Sequence, residues 1–64
     1  IAFNAANEQA VAAFLRRSIR FAQLAAVTEQ VMQHDWSGAL ATVQDVMRID
    51  EAARRYADEY IGSL

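Results

Sequence analysis

In the stretch Gln33-His34-Asp35-Trp36, the first three residues form a short polar break and Trp36 opens the next helix, so the chain divides into two long segments with helical periodicity. The segment before the break contains neither glycine nor proline, and a helix can be capped there by Asn4 or Asn7. In the segment after it, Asp35 is a good N-cap and Gly62 marks a helix end. Two helices joined by about three residues must turn back on each other. The sequence therefore predicts an all-α antiparallel hairpin of two long helices, with its turn near residues 33–36.

The composition favours one small helical domain that spans residues 1–64. Alanine occurs 14 times in the 64 residues, glycine occurs twice and proline is absent, which is a helical bias. The absence of cysteine excludes a disulfide framework and thiolate metal sites, so we expect a cytoplasmic protein. No apolar run approaches the roughly 18 residues that would span a bilayer, so we expect no membrane contact.

Each predicted helix carries an apolar face along its length. At ~100° per residue, one face of the first helix consists of Val11, Phe14, Leu15, Ser18, Phe21, Ala22, Ala25 and Met32. The second helix has a seam with 4,3,4,3 spacing, which consists of Ala39, Val43, Val46, Asp50, Ala53, Ala57, Tyr60 and Leu64. This spacing is typical of a helix that packs at a shallow angle along its partner.

A two-helix hairpin leaves apolar surface exposed, because even a compact chain of about 60 residues buries only about 60% of its unfolded surface. A partner solves this problem, either as a second copy that completes a four-helix bundle or as a different helical protein. The side chains that we expect at this interface are Leu24, Val27, Val31, Trp36, Val43, Val46, Tyr56 and Tyr60. We therefore predict a homodimer or a complex with a helical partner.

Asp50 is the acidic residue in the predicted seam. In an antiparallel register the numbers of facing residues sum to about 69, so Asp50 lies opposite residues 18–20. Because a bare carboxylate at a seam is costly, we expect it to pair with Ser18, Arg17 or Arg20. We predict that Asp50 fixes the helix register, and a contact with a partner is the alternative interpretation.

The most basic cluster consists of Arg16, Arg17 and Arg20, with Arg16 and Arg20 one turn apart on the predicted helix. In a dimer this face would be duplicated and could lie along an RNA or DNA backbone. Residues 1–33 carry three arginines against two glutamates, a net charge of +1, whereas residues 34–64 carry three arginines against six acids, a net charge of −3. A chain so nearly balanced has no long-range field that attracts nucleic acid, so pairing of these arginines with acids is the favoured interpretation.

Residues with catalytic or metal-binding chemistry are sparse. His34 is the single histidine, and one imidazole beside flexible carboxylates does not supply a metal site. Ser18, Ser37 and Ser63 lie far from a base in any hairpin geometry, and no Gly-rich loop offers backbone amides to a phosphate. We therefore expect no catalytic residue, no metal, no cofactor and no enzyme activity.

A local resemblance is carried by Asp35-Trp36-Ser37-Gly38-Ala39-Leu40, which resembles the opening of the second helix of a tetratricopeptide repeat. The resemblance covers six of the 64 residues. Val27 and Gln30 stand at the small and aromatic positions of the first repeat helix, and Glu51 stands near the place of the closing proline. The acid-Trp turn is also similar to that of small secretion and flagellar chaperones, which implies a helical hairpin.

These patterns predict a non-enzymatic interaction module, such as a small adaptor, a chaperone or a regulatory subunit, that associates through its apolar helix faces. One alternative is a small dimeric regulator that binds RNA or DNA through its arginine cluster. Another is a docking subunit or fragment of a larger assembly.

Overall fold

Three helices make up the regular structure in residues 1–38 and 40–64, which are the residues that a computed structural model describes. They are α1 (Ala2–Leu15), α2 (Gln23–Met32) and α3 (Val43–Ser63), and no strand occurs within the described residues. The prediction of an all-α chain is confirmed. The prediction of a hairpin of two long helices is wrong, because the first segment contains a second break and the last helix begins at Val43 rather than at Trp36.

The unexpected break follows Leu15, although no glycine or proline is nearby. Arg17 has a φ of 63°, and its N–H donates to the carbonyl of Phe14 at 3.0 Å. The N–H of Ser18 donates to the carbonyl of Ala13 at 2.8 Å. These two bonds form a Schellman motif, which ends a helix and usually has glycine at the position that Arg17 occupies. The helix end was missed because the expected residue type is absent.

The start of α3 is defined by a capping box. The Thr42 hydroxyl accepts a hydrogen bond from the N–H of Asp45 at 3.1 Å, and the Asp45 carboxylate accepts one from the N–H of Thr42 at 3.1 Å. These bonds satisfy two backbone donors that a helix start would otherwise leave free. Asp35, the predicted cap, accepts instead from the N–H and hydroxyl of Ser37 in a local turn that precedes Thr42, the actual cap.

α1 and α3 run parallel to each other. Glu8 contacts Arg54 and Gln9 contacts Asp58, so residue numbers increase together along the two helices. The predicted antiparallel register between the first and last helices is therefore wrong. The cause is the break after Leu15, since α2 already reverses the chain and α3 reverses it again.

The core of the domain consists mainly of alanine. All three helices contribute to one cluster of buried side chains, which consists of Ala2, Ala5, Ala6, Ala10, Ala13, Ile19, Val27, Val31, Ala53, Ala57 and Ile61. The largest side chains that are fully buried are those of Val27 and Val31. Small side chains let helix backbones approach closely, but they bury little apolar surface. The predicted face of α1 is wrong, because its alanines face the core while Val11, Phe14 and Leu15 are exposed.

The described part of the chain contains no helix long and apolar enough to cross a membrane.

Candidate functional site

The eight side chains predicted at an interface lie in three different environments. Val27 and Val31 are fully buried within the domain itself. Leu24, Trp36, Tyr56 and Tyr60 are partly buried and pack against the same core. Val43 and Val46 are exposed, with 71% of the Val43 surface accessible. Val43 and Val46 are thus the exposed members of the predicted set. The predicted interface itself stays a prediction.

The predicted seam of the last helix is brought together only in part. Ala53 and Ala57 are buried, Asp50 and Tyr60 are half-buried, and Leu64 is exposed. Ala39, the first position of that seam, lies outside the described residues.

Large apolar side chains cluster on the outside, at the end of the domain where α1 and α3 begin and α2 ends. We call this surface the Ile1 patch, and it consists of Ile1, Phe3, Met32, Leu40, Val46 and Met47, all of which are exposed. The domain therefore has small apolar side chains inside and large ones outside, the reverse of the usual distribution. Contiguous exposed apolar surface of this kind is typical of interaction sites.

The Ile1 patch is concave. An open groove of about 250 Å³ is lined by Ile1, Phe3, Met32 and Leu40 together with the edge of Trp36. A second groove of about 390 Å³ shares Ile1 and includes Val46 and Met47. Because one side chain lines both grooves, the apolar surface continues from α2 across the start of α1 to α3.

The total accessible surface also indicates an incomplete core. The chain exposes 4451 Å² at a mass of 7.1 kDa. A compact monomeric protein of this mass exposes about 4100 Å². The chain therefore exposes about 350 Å² more than a compact monomer of its mass. This excess indicates surface that is left for a contact outside the domain.

A polar network ties α1 to α3 beside the second groove. The Arg54 guanidinium donates to Asp50 at 2.9 Å, to the Gln9 side-chain oxygen at 3.0 Å and to the Glu8 carboxylate. The Gln9 amide in turn donates to Asp58 at 2.8 Å. Hydrogen bonds to Asp50 and then Glu8 raise the pKa of Arg54, and the hydrogen bond from Arg54 lowers the pKa of Asp50. The network therefore favours the ionised forms of Arg54 and Asp50.

The predicted partners of Asp50 are wrong. Asp50 pairs with Arg54 one turn later on its own helix, not with Ser18, Arg17 or Arg20. The parallel arrangement of α1 and α3 places residues 18–20 at the far end of α1, beyond its contacts with the middle of α3. Arg54 is the residue that joins the two helices, and its spacing of four from Asp50 was the available sequence signal.

The arginine cluster does not form a helix face. Arg16 is the C-cap residue that follows α1, and Arg17 and Arg20 lie in the turn before α2. The Arg16 side chain donates to the Ser18 hydroxyl at 3.1 Å. The prediction that Arg16 and Arg20 lie one helical turn apart is therefore wrong, because the chain leaves the helix between them.

Aromatic side chains pack at the connection between α2 and α3. The Trp36 indole N–H donates to the carbonyl of Val31 at 2.9 Å, at the end of α2. The His34 and Tyr56 rings stack with centroids 3.7 Å apart and planes 7° apart. The His34 ring therefore stacks on a side chain of α3, while the residue stays exposed in the connection between the two helices.

Within the described residues, no group of three or more His, Cys, Asp or Glu side chains could hold a metal ion. The same residues leave no fully buried side-chain nitrogen or oxygen atom without a hydrogen-bond partner. The best candidate for a functional site in the described part of the chain is therefore the Ile1 patch. Five of its members, Ile1, Phe3, Met32, Leu40 and Met47, were not among the side chains predicted at an interface, because the core was assigned to large side chains instead of the evenly spaced alanines.

Comparison with known proteins points to an enzyme family. A family model described as the DXP reductoisomerase C-terminal domain matches residues 1–56. The 1-deoxy-D-xylulose 5-phosphate reductoisomerase of Treponema pallidum is 53% identical over 57 residues, which are 89% of this chain and 15% of that protein. The protein of the same name from Shewanella piezotolerans is 44% identical over 61 residues, 95% of this chain and 15% of that protein. No solved structure matches.

These relatives correct the functional predictions. Proteins named as a reductoisomerase are enzymes, so the predictions of a non-enzymatic adaptor, chaperone or regulatory module and of no enzyme activity are wrong. The alternative of RNA or DNA binding required Arg16 and Arg20 on one helix face, and they do not share a helix. The matching family is named for an enzyme. The resemblance to a tetratricopeptide repeat fails too, since Asp35 to Gly38 and Leu40 lie outside any helix. The chain spans about 15% of the length of the curated relatives that it matches.

Proposed function

This chain belongs to the family of DXP reductoisomerase C-terminal domains, and we propose that it serves as the helical C-terminal domain of a 1-deoxy-D-xylulose 5-phosphate reductoisomerase. The observation that carries the proposal is the family match over residues 1–56. The identity of 53% to a relative over 89% of the chain supports it.

Within such an enzyme, the domain supplies structure and leaves the reacting groups to the rest of the protein. The name of the relatives describes a reduction and an isomerisation of 1-deoxy-D-xylulose 5-phosphate. A phosphate-bearing substrate or reductant is typically held by a Gly-rich loop at a helix start. Gly38 and Gly62 stand singly in this sequence, so these residues do not fit such a group.

A chimeric enzyme tests this proposal. The matching segment of about 57 residues in the Treponema pallidum reductoisomerase is replaced by this chain, and conversion of 1-deoxy-D-xylulose 5-phosphate is measured. We expect kcat/KM to stay within about tenfold of the parent enzyme, because a domain that supplies structure touches no reacting atom. A folded chimera without activity would contradict the proposal.

Two controls make the result specific to the domain. Deletion of the segment should abolish activity or soluble expression. In the chimera, Val27→Asp buries an unpaired charge at a position that is 0% exposed, so it should unfold the domain and reduce activity with it. Full activity in either control would show that the segment is dispensable.

Two expectations from the sequence stay predictions. A four-helix bundle formed by two copies of the chain would use its exposed apolar surface, and sedimentation of the 64-residue chain over a dilution series checks it. Location in the cytoplasm also stays a prediction, which fractionation of the source cells checks.

A further inference from the structure

We infer that the Ile1 patch is the surface on which the preceding part of the same polypeptide packs. This inference rests on the proposed function, because it requires the chain to be one domain of a longer enzyme. It assigns the partner: the remainder of that enzyme, in contact through large apolar side chains.

The core of the domain contains mainly small side chains, while large apolar side chains lie on its surface. The alanines that join the helices bury little apolar area, while Phe3 and Met47 are each 55% exposed on the outside. Burial of such side chains is the main source of favourable free energy in folding. A second layer placed on the patch would bury the side chains that the domain leaves in water.

The Ile1 patch has a grooved shape that suits packing against another surface. The two grooves that meet at Ile1 have volumes of about 250 Å³ and 390 Å³. Each can receive side chains from an opposing surface, as the packed centres of interfaces do. Glu8, Asp50 and Arg54 of the polar network line the second groove beside its apolar side chains, so an occupant there meets charged as well as apolar groups.

The length of the relatives and the family description indicate what packs on the Ile1 patch. Relatives of this chain are about six times its length, since the matched segment covers 15% of them. The family description places the matching domain in the C-terminal part of such enzymes, so most of their chain precedes the matching segment. The patch surrounds Ile1, where the preceding chain would join, and a contact within one chain has a high effective concentration.

The opposite end of the domain has a weaker claim. Phe14 and Phe21 lie there, and their rings pack against each other in an edge-to-face pair with centroids 5.8 Å apart. Phe21 is nevertheless 74% exposed. It therefore provides a matched control position that the inference leaves open to solvent.

Methionine oxidation in the full-length enzyme that carries this chain tests the inference without altering the patch. Met32 and Met47 are the two methionines of the chain, and both are exposed in the isolated domain. Peroxide converts accessible methionine to its sulfoxide, and peptide mass spectrometry measures the rate at each position. The variant Phe21→Met supplies the control, with each rate normalised to that of the unfolded protein.

We expect Met32 and Met47 to oxidise at least about tenfold more slowly than Met introduced at position 21, because the packed chain excludes peroxide. Equal rates in an enzyme that converts 1-deoxy-D-xylulose 5-phosphate would overturn the inference and leave the proposed function intact. Absence of that activity in the folded full-length protein would instead overturn the proposed function. Protection that disappears when the protein is diluted from dimer to monomer would identify a second copy as the occupant, which also overturns the inference.

Discussion

Arg17 holds a left-handed backbone conformation, with a φ of 63°, that ends α1. Side chains other than glycine adopt this region at a cost of roughly 1–2 kcal/mol, because Cβ approaches the following carbonyl oxygen. The cost is accepted here because the reversal lets Ile19, which is buried, reach the core. One residue in an unfavourable conformation therefore determines that the first segment forms two helices.

Replacing Arg17 with glycine should stabilise the domain. The change removes the steric cost but increases the entropy of the unfolded chain, so we expect the free energy of unfolding to rise by about 0.5–1 kcal/mol. Urea unfolding of the 64-residue chain, followed by circular dichroism, measures it.

Arg16→Gly is the matched control. Arg16 has a φ of −88°, which any residue adopts, so glycine there should lower stability or leave it unchanged. An increase in stability with Arg16→Gly as large as with Arg17→Gly would contradict the role given to the left-handed residue.

At the level of elements, the start of α3 depends on ionised Asp45. Its carboxylate accepts hydrogen bonds from the N–H groups of Ala41 and Thr42, and the Arg48 guanidinium donates to it at 2.6 Å. The pKa of Asp45 is lowered from its ordinary value, chiefly by the Ala41 hydrogen bond. A carboxyl group with a lowered folded pKa stabilises the fold above its unfolded pKa, and this contribution disappears as the pH falls through the folded value.

We therefore expect the stability of the domain to fall as the pH is lowered below about 4. Urea midpoints at pH 7 and pH 3 measure the change. Asp45→Asn should show a smaller fall between these pH values. Part of the fall should remain, because the pKa values of Asp35 and Asp50 are also lowered in the folded chain. An identical fall in Asp45→Asn and the unmodified chain would show that Asp45 contributes nothing.

Thr42→Ala separates the two halves of the capping box. It removes the hydroxyl acceptor and should cost about 1 kcal/mol at pH 7, but it leaves the Asp45 carboxylate in place. Most of the pH dependence of its stability should therefore remain, because the Ala41 and Thr42 N–H groups still bond to the Asp45 carboxylate and only the smaller contribution of the Thr42 hydroxyl is lost.

At the scale of the whole molecule, alanine sets how closely the helices approach. Ala6 is 0% exposed in α1, and Ala53 and Ala57 are equally buried in α3. This close approach is what brings Arg54 within hydrogen-bond distance of Gln9. The packing of the backbone and the polar network are thus consequences of the same small side chains.

Ala6→Leu should destabilise the domain, because there is no space for the added atoms in the core. Overpacking of this kind costs about 1–3 kcal/mol, and urea unfolding measures it. Ala12→Leu is the matched control, since Ala12 is exposed on the same helix, and it should leave stability nearly unchanged. Equal effects at the two positions would contradict the alanine core.

The helical class could be predicted from composition and periodicity, since 14 alanines and two glycines in 64 residues favour local helix formation wherever the chain packs. The break at Gln33 to Trp36 was also visible in part, because α2 ends at Met32. Both features depend on neighbouring residues, which a sequence displays directly.

The directions and faces of the helices were decided only by tertiary packing. A left-handed Arg17 is favourable only when the reversal it produces buries Ile19, and no local pattern contains that contact. Alanines form the core only when two helices run parallel and close, and in that arrangement Phe3 and Met47 are left outside. The candidate site follows from this inversion, because the side chains excluded from the core are the ones that form the Ile1 patch.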